Sequence, residues 1–168
     1  DGAFGGFAKD HRRGEAMLLR LAVPHLVAKD YDRVLYLDSD ILFRHGDLNR
    51  LFETDLQGCA LAAVRDNCQW RDPKRKPKQL KLLGERSRPY FNSGLLLIDV
   101  AAYLAGGVME RAVGFATDQG KNNVENDQSA LNHAVAGAWV ELSPLWNWQF
   151  SFATRYFGWL EDAFLYHF

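Results

Sequence analysis

The hydrophobic residues of this chain are concentrated in short apolar runs that are separated by amphipathic and polar segments. These runs are Arg33–Leu37, Ala60–Val64, Tyr90–Ile98, Trp139–Leu142 and Phe164–Phe168. Runs with little polar alternation predict strands that are covered on both faces, as in a parallel sheet. We therefore expect these runs to form the strands of the domain.

The segments between the runs carry apolar residues at helical spacing. The first predicted helix, Gly14–Ala28, has an apolar face made by Met17, Leu18, Leu21, Ala22 and Leu26. Further helices are predicted over Asp47–Phe52, from Asp99 through Tyr103, over Val108–Thr117 and over Glu125–Val135. Strands that alternate with helices indicate an α/β domain with a mainly parallel central sheet flanked by helices. Ligands of such sheets bind beyond the carboxyl ends of the strands.

Composition and charge narrow the class of protein. The chain has 168 residues, 48% of them hydrophobic, which is enough for one domain with a buried core. A net charge of -1 provides no global field for nucleic acid, and we expect no nucleic-acid partner. No apolar run approaches the roughly 20 residues of a membrane-spanning helix, so a soluble chain is expected. Cys59 and Cys68 specify neither a zinc site nor a disulfide scaffold, which makes a reducing compartment the default.

Two Asp-x-Asp motifs flank the first predicted strand. With 14 aspartates in the chain, chance alone gives about one such motif, so the spacing by itself is weak evidence for a functional site. Asp30 and Asp32 precede the strand on a polar turn, and we interpret them as solvated surface. Asp38 and Asp40 follow the strand, at the edge where an α/β sheet binds ligands, and residues i and i+2 of an extended segment point the same way. Paired carboxylates favour Mg²⁺ or Mn²⁺. The alternative is that one aspartate caps a helix and the other is a turn residue.

Three other segments carry candidate chemistry. Tyr90-Phe91-Asn92-Ser93-Gly94 places small polar residues inside an apolar strand, which indicates either a close ligand approach or a β-bulge. Asn126-Asp127-Gln128 opens a helix, where an ordinary N-cap is the alternative to a binding role. His167 lies in the last predicted strand and, taken alone, is more often structural than a metal ligand.

Together these motifs resemble glycosyltransferase family 8, the retaining enzymes that use nucleotide sugars, such as bacterial lipopolysaccharide galactosyl- and glucosyltransferases and glycogenin. The resemblance covers roughly Glu15 to Phe168. The matching segments, in the family's order, are Met17–Leu21, Arg33–Asp40, Asp47–Phe52, Tyr90–Ile98 and Asn126–Asn132.

The resemblance implies a GT-A (Rossmann-like) nucleotide-diphospho-sugar transferase fold. It implies transfer of a hexose, galactose or glucose, from a UDP-hexose donor to a saccharide or glycolipid acceptor. Asp38 and Asp40 would coordinate Mn²⁺ (or Mg²⁺), with His167 as the third protein ligand. The residues implied to bind the donor sugar are Arg20, Asp38, Asp66, Asn92, Ser93, Asp127 and Gln128.

The sequence departs from the family at both ends and at one internal position. We expect residues 1–168 to be a single GT-A catalytic domain that lacks the family's N-terminal uridine-binding strand. We also expect it to lack the end of the C-terminal His-x-x-Gly-x-x-Lys-Pro-Trp segment, which His167 and Phe168 open. Position 129, where many relatives carry a second carboxylate, is Ser129, so a carboxylate nucleophile is excluded there.

Retention of configuration then points to attack by the acceptor from the leaving-group side. In this scheme the amide oxygen of Gln128 stabilises the cationic sugar, and a covalent intermediate on Asp127 is the alternative. Two other classes remain open. A metal-dependent nucleotidyltransferase also suits Asp-x-Asp, although its glycine-rich triphosphate loop is not seen, and a catalytically silent sugar-nucleotide-binding domain is the third.

The acceptor and the location are inferred from the remaining features. The segment Asn67–Arg88 is predicted to be a surface loop, and its excess of Lys and Arg suggests an anionic acceptor such as a phosphorylated glycolipid core. Since nothing marks the chain for secretion, we expect a cytoplasmic enzyme. Peripheral contact with the inner face of a bacterial membrane would involve segments outside this chain.

Overall fold

The computed structural model describes residues 11–67, 69, 83, 89–119, 126–151, 154, 157 and 162–168. The helices are α1 (His11–Val27), α2 (Leu48–Phe52), α3 (Val100–Ala105), α4 (Val108–Gln119) and α5 (Asn126–Val135). The strands are β1 (Arg33–Leu37), β2 (Ile41–Phe43), β3 (Leu61–Arg65), β4 (Phe91–Asp99), β5 (Val140–Glu141), β6 (Trp148–Gln149) and β7 (Leu165–His167). A single 3₁₀ turn over Pro144–Trp146 precedes β6.

The larger sheet has the strand order β1-β4-β3-β5. Strands β1, β3 and β5 run in one direction, as expected for a mainly parallel sheet. Strand β4 lies between β1 and β3 and is antiparallel to both, so the pairing of the central strand corrects the expectation of parallel neighbours. The apolar pattern could not reveal this, because a strand buried on both faces has the same pattern in either direction.

Both faces of the central strands β3 and β4 are buried, as the runs without alternation predict, whereas β1 at the edge of the sheet is only partly buried. On one face, Leu61, Ala63, Leu96 and Ile98 pack with Leu21 of α1 and with residues of α3, α4 and α5. On the other face, Ala62, Val64, Leu95 and Leu97 pack with Leu51 of α2 and Leu165 of β7. The central strands are therefore fixed from two sides, and only their ends are free to carry polar groups.

A second, three-stranded sheet has the order β2-β7-β6. Strand β2 pairs antiparallel with β7, and Ile41 lies opposite His167. Strand β6 pairs parallel with β7, and Gln149 lies opposite His167 on that side. Strands β2 and β6 leave no signal in the sequence, because strands of three and two residues are too short to produce a periodic pattern. This small sheet brings the end of the described chain beside the end of β1.

Most element boundaries agree with the sequence within a few residues. The predicted caps are present, since Asp47 accepts from Asn49 N and Asp99 accepts from Ala102 N. One prediction is wrong: Leu26 was assigned to the covered face of α1, but it is 71% exposed. The predicted loop over 67–88 lies outside the described residues except at positions 67, 69 and 83.

Candidate active site and metal centre

The antiparallel direction of β4 places its amino end beside the carboxyl ends of β1 and β3. Asp38 follows β1, and its backbone N–H donates to Gly94 O at 2.8 Å. Asp66 follows β3, and its N–H donates to Tyr90 O at 3.0 Å. The polar step Asn92-Ser93-Gly94 therefore meets both aspartates at one edge of the sheet.

The polar step of β4 is a bulge, which confirms one of the two interpretations of this motif. The register with β3 shifts between Ala63, which pairs with Leu96, and Val64, which pairs with Asn92. Side chains satisfy the backbone N–H groups at the shift: Gly94 N donates to Asn92 Oδ1 at 2.9 Å, and Ser93 N donates to Gln128 Oε1 at 3.1 Å. The bulge thus turns polar groups of a core strand toward the site.

A cluster of potential metal ligands lies at this edge. Asp38, Asp40 and His167 each offer one ligand atom, and these atoms lie within 4.8 Å of one another. His167 Nε2 is 3.4 Å from Asp40 Oδ1 and 3.8 Å from Asp38 Oδ2. Two carboxylates at this spacing repel one another unless a cation lies between them. Two hard oxygen donors with one imidazole suit a divalent ion such as Mn²⁺.

His167 fits against β4 only because position 94 is a glycine. A Cβ atom on Gly94 would lie 2.2 Å from His167 Cε1 and 2.6 Å from Nδ1. Real side chains do not approach this closely, so a larger residue would displace the imidazole. The close approach expected of Gly94 from the sequence is therefore made by a side chain of the protein itself.

Arg20 of α1 connects the cluster to α5. Its guanidinium pairs with the carboxylates of Asp38 and Asp127, and its Nη1 donates to Ser93 Oγ at 2.8 Å. The side chain is only 10% exposed. Burial lowers the pKa of Arg20, but Asp127 and Asp38 outweigh it, so the pKa lies above its ordinary value. Arg20 stays charged and holds the two acids at a fixed separation.

Tyr36, on β1, contacts two of these groups and was missed by the sequence analysis. Its hydroxyl donates to Asp38 Oδ1 at 2.8 Å, and the Arg20 guanidinium lies 4.6 Å from the centre of its ring. Burial and the bond to Asp38 raise the pKa of Tyr36, which keeps the hydroxyl protonated as a donor. The signal in the sequence was the position of this tyrosine, two residues before Asp38, which places its hydroxyl on the same side of the strand.

Helix α5 brings two further candidates to the same edge. Asp127 is in its first turn and accepts from Gln128 N at 2.9 Å while it pairs with Arg20. Gln128 Nε2 donates to Asp66 Oδ2 at 3.1 Å. Asp127 therefore lies inside the first turn of the helix and not at its N-cap position, and its second oxygen is directed to a buried cation.

The rest of the first two turns of α5 anchors the helix to β4. Asn132 is 1% exposed; its Oδ1 accepts from Phe91 N, and its Nδ2 donates to Phe91 O. Ser129 is buried, and its hydroxyl lies 3.0 Å from Tyr90 Oη. Ser129 thus bonds to a tyrosine of the core and does not present a group to the candidate site.

The structure brings together every site residue that the sequence predicted. Their side chains or backbones are linked at one edge of the sheet: Arg20, Asp38, Asp40, Asp66, Asn92, Ser93, Asp127, Gln128 and His167. Tyr36 and Asn147, which joins Asn92 to His167, are additional members. Four of these residues are acids, and one is an arginine. The excess of negative charge would be offset by a bound divalent cation.

Comparison with solved structures identifies the fold. The galactosyltransferase LgtC, solved in complex with donor and acceptor sugar analogs, matches with a TM-score of 0.75 and 24% identity. The match covers 98% of this chain and 62% of that chain. The protein therefore has the GT-A fold of glycosyltransferases.

The sequence comparisons identify the family. The family model for glycosyl transferase family 8 matches residues 7–168, and the chain belongs to this family. Glycosyltransferase GlyF of Streptococcus pneumoniae is 34% identical over 70% of this chain and 26% of its own length. Lipopolysaccharide 1,2-glucosyltransferase of Escherichia coli is 31% identical over 73% of this chain and 35% of its own length. The chain thus spans less than half the length of the curated relatives it matches.

Among the helices of the described residues, none is both long enough and apolar enough to cross a bilayer.

Proposed function

We propose that this chain is the catalytic domain of a retaining glycosyltransferase that transfers galactose or glucose from a UDP-sugar to a saccharide or glycolipid acceptor. The family assignment supports sugar transfer. The relatives support the acceptor class, since one is a lipopolysaccharide glucosyltransferase and another is a galactosyltransferase solved with donor and acceptor sugar analogs. If the acceptor is a glycolipid, a cytoplasmic enzyme at the inner face of a bacterial membrane is the expected setting.

One observation carries this proposal: a cation-type cluster and a set of sugar-type hydrogen-bonding groups share one edge of the sheet. The cluster of Asp38, Asp40 and His167 suits the diphosphate half of a nucleotide sugar. The network of Asp66, Gln128 and Asp127 offers carboxylate and amide groups of the kind that bind sugar hydroxyls. Arg20 lies between the two halves and contacts both.

Asp38, Asp40 and His167 would hold the metal. When bound there, a divalent cation neutralises the negative charge that develops on the leaving diphosphate. We propose Mn²⁺ over Mg²⁺, because imidazole is a common ligand of transition metals, whereas Mg²⁺ prefers oxygen ligands and water.

The donor sugar would be held from four places: α1, β4, α5 and the end of β3. Arg20, positioned by α1, and Ser93, on the bulge, would donate to hydroxyl oxygens. Asp66 and Asp127 would accept from hydroxyl groups, and charged acceptors of this kind form hydrogen bonds about twice as strong as neutral ones. Because packing and hydrogen bonds fix these side chains, the site is organised before the sugar arrives.

The transfer reaction breaks the bond between the anomeric carbon and the diphosphate oxygen. A new bond forms between that carbon and the acceptor hydroxyl oxygen on the same face of the sugar. The hydroxyl proton passes to the leaving phosphate oxygen, which balances the charge of the departing nucleotide. The amide oxygen of Gln128 stabilises the positive charge that develops on the sugar. One lone pair of this oxygen accepts from Ser93 N, which orients the amide and leaves the second lone pair for the sugar.

Same-side attack agrees better with the surroundings of Asp127 than a covalent intermediate does. One oxygen of this carboxylate accepts from Gln128 N, and the other pairs with Arg20. A carboxylate held in this way must leave a buried cation before it can attack, and the guanidinium reduces its nucleophilicity. We therefore assign Asp127 to binding and Gln128 to stabilisation of the transition state.

Turnover by the full-length protein tests the proposal. We expect release of UDP from UDP-galactose or UDP-glucose, dependent on Mn²⁺ and on an added saccharide acceptor, with an α-linked product by NMR. A product with inverted configuration would overturn the retaining assignment. Binding of UDP-sugar without turnover against a panel of acceptors, lipooligosaccharides included, would instead identify a catalytically silent binding domain.

A further inference from the structure

Asn147 lies between the two halves of the candidate site. It follows the 3₁₀ turn and is fully buried, with 0% of its surface exposed. Its Nδ2 donates to Asn92 Oδ1 at 2.9 Å, and its Oδ1 lies 3.0 Å from His167 Nδ1. Asn147 thus touches a candidate metal ligand and a candidate sugar-binding residue at the same time.

The hydrogen bonds that link Gly94, Asn92, Asn147 and His167 form a series, and one backbone group sets the direction of all of them. The N–H of Gly94 can only donate, so the atom of Asn92 that it meets at 2.9 Å must be the oxygen. The group of Asn147 that meets the same oxygen must then be its NH₂. Its carbonyl oxygen consequently faces His167 Nδ1, which must carry the proton. The other ring nitrogen, Nε2, faces Asp40 and Asp38.

We infer that Asn147 is a positioning residue that fixes His167 as the Nδ1–H tautomer and so presents the Nε2 lone pair to a divalent cation. This inference rests on the metal site of the proposed function. Histidine ligands in metal sites commonly donate their second N–H to a carbonyl or carboxylate, which sets the tautomer and the ring orientation. Here a buried amide performs that role, and a backbone N–H sets the amide.

The same residue fixes the amide of Asn92. Asn92 Oδ1 accepts from both Gly94 N and Asn147 Nδ2, so both lone pairs of this oxygen are used. The NH₂ group of Asn92 is what remains for the donor sugar. Asn92 therefore recognises the sugar as a hydrogen-bond donor to a hydroxyl oxygen.

Two substitutions separate these roles. Asn147→Asp keeps an acceptor for His167 Nδ1–H but replaces the donor to Asn92 with an oxygen, which repels Asn92 Oδ1. Asn147→Leu has a similar volume and removes both bonds. A matched control is Asn132→Asp, which alters another buried asparagine whose side-chain hydrogen bonds, among the described residues, are to the backbone of Phe91 and Gln128 and not to His167 or Asn92.

The first measurement is the tautomer of His167 in the metal-free protein. Long-range ¹H–¹⁵N correlation of the imidazole, assigned with His167→Ala, should show Nδ1 protonated and hydrogen-bonded in the wild type and in Asn147→Asp. Asn147→Leu should lose this preference, and Asn132→Asp should keep it. A wild-type ring without a proton on Nδ1, or an unchanged Nδ1–H signal in Asn147→Leu, would overturn the inference.

The second measurement is affinity for Mn²⁺ alone and for UDP-hexose relative to UDP, using the full-length protein. Asn147→Leu should weaken Mn²⁺ binding about 10-fold to 100-fold, the usual effect of losing a partner of a ligating histidine. Asn147→Asp should keep Mn²⁺ binding and weaken UDP-hexose about 10-fold relative to UDP. Equal losses of both affinities in the two variants would indicate a merely structural asparagine.

The two measurements also separate this inference from the proposed function. If the wild type binds no Mn²⁺ while His167 is the Nδ1–H tautomer, the proposed metal site fails and the orientation of the ring stands. If Mn²⁺ binds and the tautomer is the other one, the role of Asn147 fails and the metal site stands.

Discussion

The two Asp-x-Asp motifs lie at opposite ends of the same strand and have opposite surroundings. Asp30 and Asp32 precede β1, are exposed, and are not part of any metal-type cluster of the described residues. Asp38 and Asp40 follow β1 and meet His167. The spacing, residue types and strand are shared, so the motif alone does not explain the difference.

The difference lies in what faces each end of β1. At the carboxyl end, β4 begins and provides a bulge, α1 provides a cation and β7 provides an imidazole. At the amino end, Val100 N donates to Asp32 O, and the pairing with β4 stops at Arg33, which lies opposite Asp99. The two motifs therefore differ because neighbouring elements place charged and polar side chains only at the carboxyl end of β1.

Charge removal at the two motifs should give the largest contrast. Asp38→Asn or Asp40→Asn removes a ligand charge without changing the volume, and we expect Mn²⁺-dependent UDP binding to fall by more than about 100-fold. Asp30→Asn and Asp32→Asn are the matched controls and should remain within about twofold, as for other surface changes. Calorimetric titration of UDP with and without Mn²⁺ measures this. Unchanged metal dependence in both of the first two variants would contradict the metal assignment.

The second prediction concerns the sugar-binding residues at the carboxyl end of β1. Gln128→Ala should lower turnover by about 10-fold to 100-fold, or about 1.4 to 2.7 kcal/mol of transition-state stabilisation. Asp127→Asn should lower it further, because it removes a charged hydrogen-bond acceptor. Steady-state kinetics with UDP-hexose measure both effects. Mass spectrometry without acceptor provides the opposing outcome, since a sugar adduct on Asp127 would establish double displacement.

The third prediction tests the space that the amino end of β4 leaves for His167. Gly94→Ala places a methyl group 2.2 Å from the ring, so we expect about tenfold weaker Mn²⁺ binding and a loss of about 1 to 3 kcal/mol in the free energy of unfolding. Gly114→Ala is the control, since a Cβ there meets nothing within 4 Å. This helical position should gain about 0.5 to 1 kcal/mol. Normal Mn²⁺ affinity in Gly94→Ala would show that the imidazole does not need its present position.

The smallest expected effect is at the tyrosines associated with the two motifs. Tyr36→Phe removes the hydrogen bond to Asp38 and should weaken Mn²⁺ binding about threefold to tenfold, since Arg20 still holds the carboxylate. Tyr31→Phe, at the exposed motif, should have no effect on Mn²⁺ binding. Titration with Mn²⁺ compares the two. Equal affinities would mean that Arg20 alone positions Asp38.

The sequence predicted the longer elements and the members of the site, because burial and residue type leave a pattern in the order of residues. The long apolar runs became β1, β3 and β4, and Asp47 and Asp99 are the predicted caps. Resemblance to the family supplied Asp66 and Arg20, which no local pattern distinguishes from other surface charges.

What the sequence did not predict depends on contacts between distant elements. The direction of β4 leaves no mark on a strand that is buried on both faces. The roles of Tyr36 and Asn147 are visible only once β1, β4 and β7 are side by side. The contact of Ser129 was not predicted either, since its hydroxyl bonds to Tyr90 in the core.

The pairing of β2 with β7 joins a strand that is synthesised early to one that is synthesised late. Ile41 pairs with His167, so this ladder joins residues separated by most of the chain. Contacts between such distant residues close long loops and form slowly. A growing polypeptide that ends at β6 holds Asp38 and Asp40 without the imidazole. The metal-type cluster is therefore completed only after β7 has been synthesised.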